Sequence, residues 1–369
     1  MKFKFVYFAI ILIFSLLFCL LNANTLKKSN LKLFKKNLNE RKVMFITYNM
    51  GGNYFKGINE IKKIVSMHDQ QDYLIISLQE VLELSIESFI NNKIYPEIEN
   101  IKSLLNNALI CFKNHKYKLE FILSEFSTVL LIYKRFNLAN SFKFISKKTI
   151  KLGNSIISEY SGAKVALMLA VRIDNQEFVF CGAHLSAHEK VDNRNERHKE
   201  LNTILNTQIN NKSFVDYNNW FILGDLNSRI LSKHLMRHSL ASTNNLESFI
   251  KMSKETLMND DIAIFKNFDY KATTEKTKIK HLNDKIIEDE ITFLPSYKFN
   301  KTCYFNMKTF IDMYVKKRVP SWTDRILYNK KNFAYNSDLI NTEYLSPTRY
   351  NMNSDHQPVI LKGIIVENK

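Results

Sequence analysis

From Lys42 onward, short runs of β-branched and aromatic residues alternate with amphipathic stretches. The runs at 43–48, 73–78, 128–133, 165–171, 178–183, 220–223, 326–328 and 358–361 predict strands. Several are apolar on both faces, as expected of strands in a sheet covered on each side. Between them, Ile58, Ile61, Ile64 and Val65, and later Leu201, Ile204, Leu205 and Ile209, recur at helical spacing and predict helices lying over the sheets. Residues 231–287 are polar, rich in Lys and Asn and weakly periodic, and the part around 266–287 reads as a solvated insertion in one domain.

The N-terminus follows a different pattern. Residues 5–21 form a run of seventeen, apolar except for Ser15 and preceded by Lys2 and Lys4. This is the layout of a signal peptide or a signal-anchor helix, assigned here to residues 1–24. A basic linker, 25–41, follows, and the folded domain is expected over 42–365. Six net positive charges from Lys27 to Lys42 outweigh the two lysines and the α-amino group before the run. The more basic flank stays cytoplasmic, so the expectation is a membrane-anchored protein with a cytosol-facing domain. The alternative is a cleaved signal and a secretory or exported product.

Composition narrows the function classes. The 369 residues are 45% hydrophobic, enough for a sizeable core, and 8 Gly with 5 Pro exclude collagen-like or Gly/Pro-rich fibres. Four cysteines without paired spacing indicate neither a disulfide framework nor a zinc knuckle. The 53 basic and 36 acidic residues give +17, which suits a polyanionic partner: nucleic acid, an anionic membrane or a phosphorylated small molecule.

Candidate chemistry clusters at strand ends. Asn49 follows the first strand, Glu80 the second, His184 the fifth, and Asp225 with Asn227 the sixth. Asp324 precedes the seventh, and Asp355 with His356 precedes the last. Each cluster alone has a structural explanation: a Glu after a strand is ordinarily an exposed loop residue, and Gly224-Asp225-Leu226-Asn227 could be a turn in which Gly supplies φ > 0. As a set, however, carboxylates, amides and histidines without a thiol suit hard Mg²⁺ and phosphate oxygens rather than zinc.

In this order the clusters resemble the inositol polyphosphate 5-phosphatases, a branch of the endonuclease/exonuclease/phosphatase superfamily. The motifs are Thr47-Tyr48-Asn49-Met50-Gly51-Gly52, Leu78-Gln79-Glu80-Val81, His184-Leu185-Ser186-Ala187-His188, Gly224-Asp225-Leu226-Asn227-Ser228-Arg229, Pro295-Ser296-Tyr297-Lys298, Trp322-Thr323-Asp324-Arg325-Ile326-Leu327 and Ser354-Asp355-His356-Gln357-Pro358. The Pro-x-Tyr-Lys element separates this branch from the DNA-repair endonucleases of the superfamily, so no nucleic acid partner is expected. Two departures stand out: Gly162-Ala163-Lys164-Val165 replaces the usual Gly-Asn-Lys-Gly, and Ser228 replaces the usual aromatic.

The resemblance implies a four-layered α/β sandwich, two packed mixed sheets flanked by helices with the active site at one end. It also implies Mg²⁺-dependent hydrolysis of the 5-phosphate of a phosphoinositide lipid or inositol polyphosphate. Glu80, assisted by Asn49, would hold Mg²⁺, with Asp355 supporting the metal side. Asp225 and Asn227 would orient the attacking water, and His356, fixed by Asp324, would contact the phosphate with His184 as a second donor. The pattern leaves open whether Asp225 or His356 takes the water's proton. Tyr297 and Lys298, with Lys317 or Arg318, would grip the 4-phosphate, and Arg194-Asn195 would add a further substrate contact. Competing readings are a Mg²⁺-dependent nuclease, a sphingomyelinase-like phosphodiesterase, or an inactive membrane-anchored phosphoinositide binder.

Overall fold

In the computed structural model, the described residues are 40–366 except 69, 83–98, 101–102, 104–116, 140, 154–163, 231–232, 268–285, 301–307, 330–342 and 348–353. The apolar run at 5–21, the basic linker up to residue 39 and most of the expected insertion therefore lie outside them, while Glu40 and Arg41, assigned to the linker, open the first strand. Among the described residues no helix is long and apolar enough to cross a membrane. Arg41–Ile365 form one compact unit.

In chain order the strands are β1 (Glu40–Asn49), β2 (Tyr73–Gln79), β3 (Tyr117–Glu125), β4 (Thr128–Arg135), β5 (Phe142–Lys151), β6 (Val165–Ile173) and β7 (Gln176–His184). They continue as β8 (Gln208–Ile209), β9 (Lys212–Ser213), β10 (Asn219–Asp225), β11 (Ile286–Ile287), β12 (Asp324–Asn329), β13 (Glu343–Leu345) and β14 (Val359–Val366). The helices are α1 (Tyr54–Met67), α2 (Val191–Asn206), α3 (Lys233–Ala241), α4 (Leu246–Met258) and α5 (Asp261–Asn267). Two six-stranded sheets result, ordered β13-β14-β1-β2-β4-β3 and β11-β12-β10-β7-β6-β5. Each is mixed, with one parallel pair, β1 with β2 and β7 with β10, beside antiparallel neighbours.

Strand alternation builds the layers, because successive side chains point to opposite faces. Val43, Phe45, Ile75 and Ile132 of one sheet pack against Leu167, Phe180, Phe221 and Leu223 of the other. Phe45 and Phe221 stack across that interface at 4.3 Å between ring centroids. The opposite positions face helices: Met44, Ile46 and Ile76 meet Ile58, Ile61 and Ile64 of α1, while Met168, Cys181 and Ile222 meet Leu201, Ile204 and Leu205 of α2. The architecture is thus the expected four-layered sandwich.

Some elements differ from the sequence expectation. β3 and β5 are sheet edges whose half-exposed, Lys-bearing faces break the apolar pattern that marks buried strands. Ile209 falls in β8, beyond the end of α2 at Asn206. Residues 233–267 form three helices despite their polarity, because narrow faces carrying Met236, Leu240 and Phe249 are buried and Asn245 Oδ1 caps α4 by accepting from Ser248 N at 3.0 Å.

Candidate active site

Strand register gathers the polar clusters. β1 and β2 run parallel with Asn49 opposite Gln79, so Asn49 and Glu80 emerge at the same end. In the other sheet Asp225 sits between His184 on β7 and Asp324 on β12. The close approach of β10 to β7 explains Gly224: a Cβ there would lie 1.8 Å from the carbonyl oxygen of Ala183. The glycine is therefore required by packing within a strand. The left-handed turn conformation falls instead on Asn227, at φ 50°.

Asp324 is fully buried, and its Oδ2 accepts from Ser296 Oγ at 2.7 Å, Thr323 Oγ1 at 2.9 Å and His356 Nδ1 at 2.9 Å. Ser354 Oγ donates to the Asn49 carbonyl at 2.7 Å and accepts from His356 N at 3.1 Å, tying the Ser-Asp-His segment to the end of β1. Burial alone would lower the His356 pKa. The charges of Asp324 and Asp225 and the Asp324 hydrogen bond outweigh it and hold the imidazole at about 9. His356 is therefore an imidazolium at neutral pH, with Nε2 3.9 Å from Asp225 Oδ2.

Burial raises the Asp225 pKa, opposed by the His356 charge. Asn49 Nδ2 donates to Asp225 Oδ2 at 2.9 Å, and Asn227 N donates to Asp225 Oδ1 at 3.0 Å. Asn227 Nδ2 donates to the Leu185 carbonyl at 2.9 Å, while its Oδ1 accepts from Arg229 Nη2.

His184 departs from its expected role. Its Nε2 lies 3.5 Å from Asp225 and 3.7 Å from Glu80, but it is the acceptor for Lys164 Nζ. Burial, then the Lys164 charge, hold its pKa well below the ordinary value, so the ring is neutral. With Nε2 engaged by the ammonium and Nδ1 sealed without a partner, the donor at this position is Lys164 rather than the imidazole. Burial in turn lowers the Lys164 pKa, opposed by Asp225 and Glu80.

Tyr297 and Lys298 stand against this centre. Tyr297 bridges both Ser321 and His356, its ring 4.5 Å from the His356 imidazole. Lys298 Nζ pairs with Asp355 Oδ2 at 2.6 Å; burial lowers its pKa, but the Asp355 hydrogen bond and charge raise it further. Asp355 is thus the counter-ion that the half-buried ammonium requires, and its charge also reaches His356. Lys317 and Arg318 lie on an exposed loop whose carbonyls at Lys316 and Arg318 accept from Arg237 Nη2, and the Arg318 charge reaches Lys298.

Arg194 and Asn195 occupy the first turns of α2, and among the described contacts none joins them to the His356–Asp225 cluster. Their neighbours Arg197 and His198 are buried and structural. Arg197 bonds Asp261 and the carbonyls of Ser186 and His188, and His198 bonds the Asp261 carbonyl. Ser228, in place of the usual aromatic, bonds Asp260 and accepts from Ile262 N, which fixes the turn after Asn227.

Ligand atoms of Asp225, Asp324 and His356 lie within 4.8 Å of one another. Asp324 Oδ2 already accepts three hydrogen bonds, whereas Asp324 Oδ1 is buried without a partner among the described residues. The oxygen set that fits a hard divalent ion is Glu80, whose side chain is 46% exposed, with Asn49 Oδ1. Lys164, Ser296, Thr323 and Arg229 join the site although the sequence assigned them no role. The hydroxyls and Arg229 stand inside motifs already singled out, and Lys164 stands in the Gly-Ala-Lys-Val segment noted as a departure, where nothing local shows that its ammonium meets His184.

The chain matches the endonuclease/exonuclease/phosphatase family 2 over residues 46–362, and it belongs to that family. Within it the chain is a member of the inositol polyphosphate 5-phosphatase group. It is 28% identical over 331 residues to the type IV inositol polyphosphate 5-phosphatase 11 of Arabidopsis thaliana, covering 86% of this chain and 80% of that one. It is 26% identical over 297 residues to a polyphosphatidylinositol phosphatase of Saccharomyces cerevisiae, covering 78% of this chain but 23% of that longer protein. Its fold matches the inositol polyphosphate 5-phosphatase domain of SPsynaptojanin, solved with inositol (1,4)-bisphosphate and a calcium ion, with a TM-score of 0.62, 19% identity and coverage of 92% and 91%. The enzyme class is phosphoric monoester hydrolase.

Proposed function

We propose that the protein is a Mg²⁺-dependent phosphatase that removes the 5-phosphate from phosphoinositides such as phosphatidylinositol 4,5-bisphosphate, and from soluble inositol polyphosphates. The observation that carries this reading is the contact of Tyr297 with His356, which puts the Lys298 cation one residue from the acid–base centre. A substrate phosphate held by Lys298 brings its vicinal neighbour to His356 and Asp225.

Monoester hydrolysis needs charge neutralisation at the phosphoryl oxygens, an in-line water and protection of the leaving oxygen. Asp225, a buried carboxylate with a raised pKa, is suited to accept the water's proton, and Asn49 and the Asn227 amide fix its two oxygens. His356, already protonated, is suited to donate to a phosphoryl oxygen and not to act as base. Asp324 holds that ring by Nδ1. Lys164 supplies a second positive charge near Asp225 and Glu80. Mg²⁺ bound at Glu80 and Asn49 would neutralise phosphoryl charge and stabilise the leaving alkoxide.

The apolar run at 5–21 and the basic residues behind it support attachment to a membrane with the catalytic unit on the cytosolic side. Protease protection of sealed microsomes tests the topology: digestion of the unit supports it, and full protection favours a luminal product. Phosphate release across a panel of lipids and soluble headgroups, with Mg²⁺ or chelator, tests the activity. Release from 5-phosphorylated substrates alone is the expected result; cleavage of abasic DNA or sphingomyelin in their place contradicts it.

A further inference from the structure

Cations buried around the catalytic turn each have a carboxylate. His356 has Asp324, Lys298 has Asp355, Arg197 has Asp261, and Arg325 has both Asp260 and Glu288. Two cations are exceptions: Lys164, whose Nζ is held by His184 Nε2, and Arg229. Arg229 is 6% exposed; among the described residues no carboxylate forms an ion pair with its guanidinium, whose charge reaches Glu189, itself paired with Lys233. Nη2 donates to Asn227 Oδ1, Nε is sealed without a partner, and Nη1 makes no hydrogen bond to a described residue yet is not sealed. Its backbone is pinned from both sides: Arg229 N donates to Asp261 Oδ2 at 3.0 Å and Asp261 N donates to the Arg229 carbonyl at 3.1 Å. The guanidinium lies over the Tyr297 ring at 4.6 Å, and that ring in turn lies against His356.

A guanidinium taken out of water without a counter-ion is unfavourable, and stacking on an aromatic face offsets only part of the loss. Held rigidly between Asn227 and Tyr297, with one nitrogen still free, Arg229 has the geometry of a cation prepared for an anion that arrives later. We propose that Arg229 is a substrate-binding residue whose free nitrogen takes an oxygen of a phosphate group seated between the Asp225–Asn227 turn and Tyr297. This rests on the phosphatase reading above and adds to it a cation that the Lys298 element does not provide. The residue's cost to the empty protein and its value to the complex have the same origin, the missing carboxylate.

The test uses inorganic phosphate as probe on the full chain, read both as a thermal shift and as competitive inhibition. For Arg229→Gln we expect a phosphate dissociation constant and inhibition constant about tenfold or more above the parent's, with KM rising in step. The melting temperature without phosphate should be unchanged or higher, because the unpaired buried charge is gone. Arg229→Lys keeps the charge but loses the planar fork, and it should weaken phosphate by roughly three- to tenfold. Phosphate affinity within twofold of the parent in Arg229→Gln overturns the proposal and leaves Arg229 a structural clamp on Asn227 and Tyr297. Should that variant not fold, the same result in Arg229→Lys overturns it. A parent that hydrolyses no phosphomonoester counts against the phosphatase reading instead, since the thermal shift with phosphate needs no turnover.

Discussion

Asp324 Oδ2 accepts the Nδ1 proton of His356 at 2.9 Å while also receiving the hydroxyls of Ser296 and Thr323. The carboxylate is thereby fixed in position and charge, and it acts on chemistry only through the ring it holds. His356→Ala should lower kcat by about a hundred- to ten-thousandfold. Asp324→Asn added to it should cost nothing further, because the second change has no ring left to orient. Steady-state kinetics of the two single variants and the double variant check this; multiplicative losses would separate the residues.

The pH profile follows from the same pair. His356 must be protonated and its pKa stands at about 9, so kcat/KM should fall as pH rises through that value. Asp225 must be ionised, so kcat/KM should also fall on the acid side as that carboxylate takes up a proton. Asp324→Asn should move the alkaline limb to lower pH. Because the folded pKa of His356 is above its unfolded value of roughly 6.5, its contribution to stability is complete below that value and lost as pH rises towards 9. Urea unfolding of the parent should show this loss, and that of His356→Ala should not.

Gly224→Ala places a Cβ against the Ala183 carbonyl and must push β10 away from β7. A loss of roughly 2 kcal/mol or more in unfolding free energy is expected, with reduced kcat because Asp225 is carried along. Denaturant titration at matched pH reads the first effect and steady-state kinetics the second.

The buried strands were legible in the sequence because they carry two-sided apolar runs with polar groups at their ends, whereas the stacking of those strands into two sheets, and the roles of the polar groups, came from the family resemblance. Where burial is one-sided the signal fades. The Lys-rich edge strand β5 and the polar helices α3 to α5 show no such runs. The neutral state of His184 was invisible because it depends first on complete burial and then on Lys164, twenty residues away and brought into contact by the antiparallel pairing of β6 and β7. The Asp355–Lys298 ion pair was equally invisible, because it joins residues far apart in the chain.

Glu80→Gln should leave the fold intact, since that side chain is nearly half exposed. It removes the accessible carboxylate of the proposed Mg²⁺ site, so turnover should drop by at least tenfold at limiting Mg²⁺ and recover partly in excess. Calorimetric titration of Mg²⁺ into both proteins gives the affinities directly; equal affinities would exclude Glu80 as a ligand.

The position of the phosphate released from phosphatidylinositol 4,5-bisphosphate, measured for the parent and for Lys298→Ala, addresses the central claim most directly. The parent should yield the 4-monophosphate by losing the 5-phosphate. Removal of one charge-assisted contact should lower kcat/KM by about ten- to a hundredfold on this substrate while changing little on one that lacks the 4-phosphate. Release of the 4-phosphate by the parent, or an equal loss on both substrates in the variant, would contradict the assignment of Tyr297 and Lys298 as the grip that presents the 5-phosphate to Asp225 and His356.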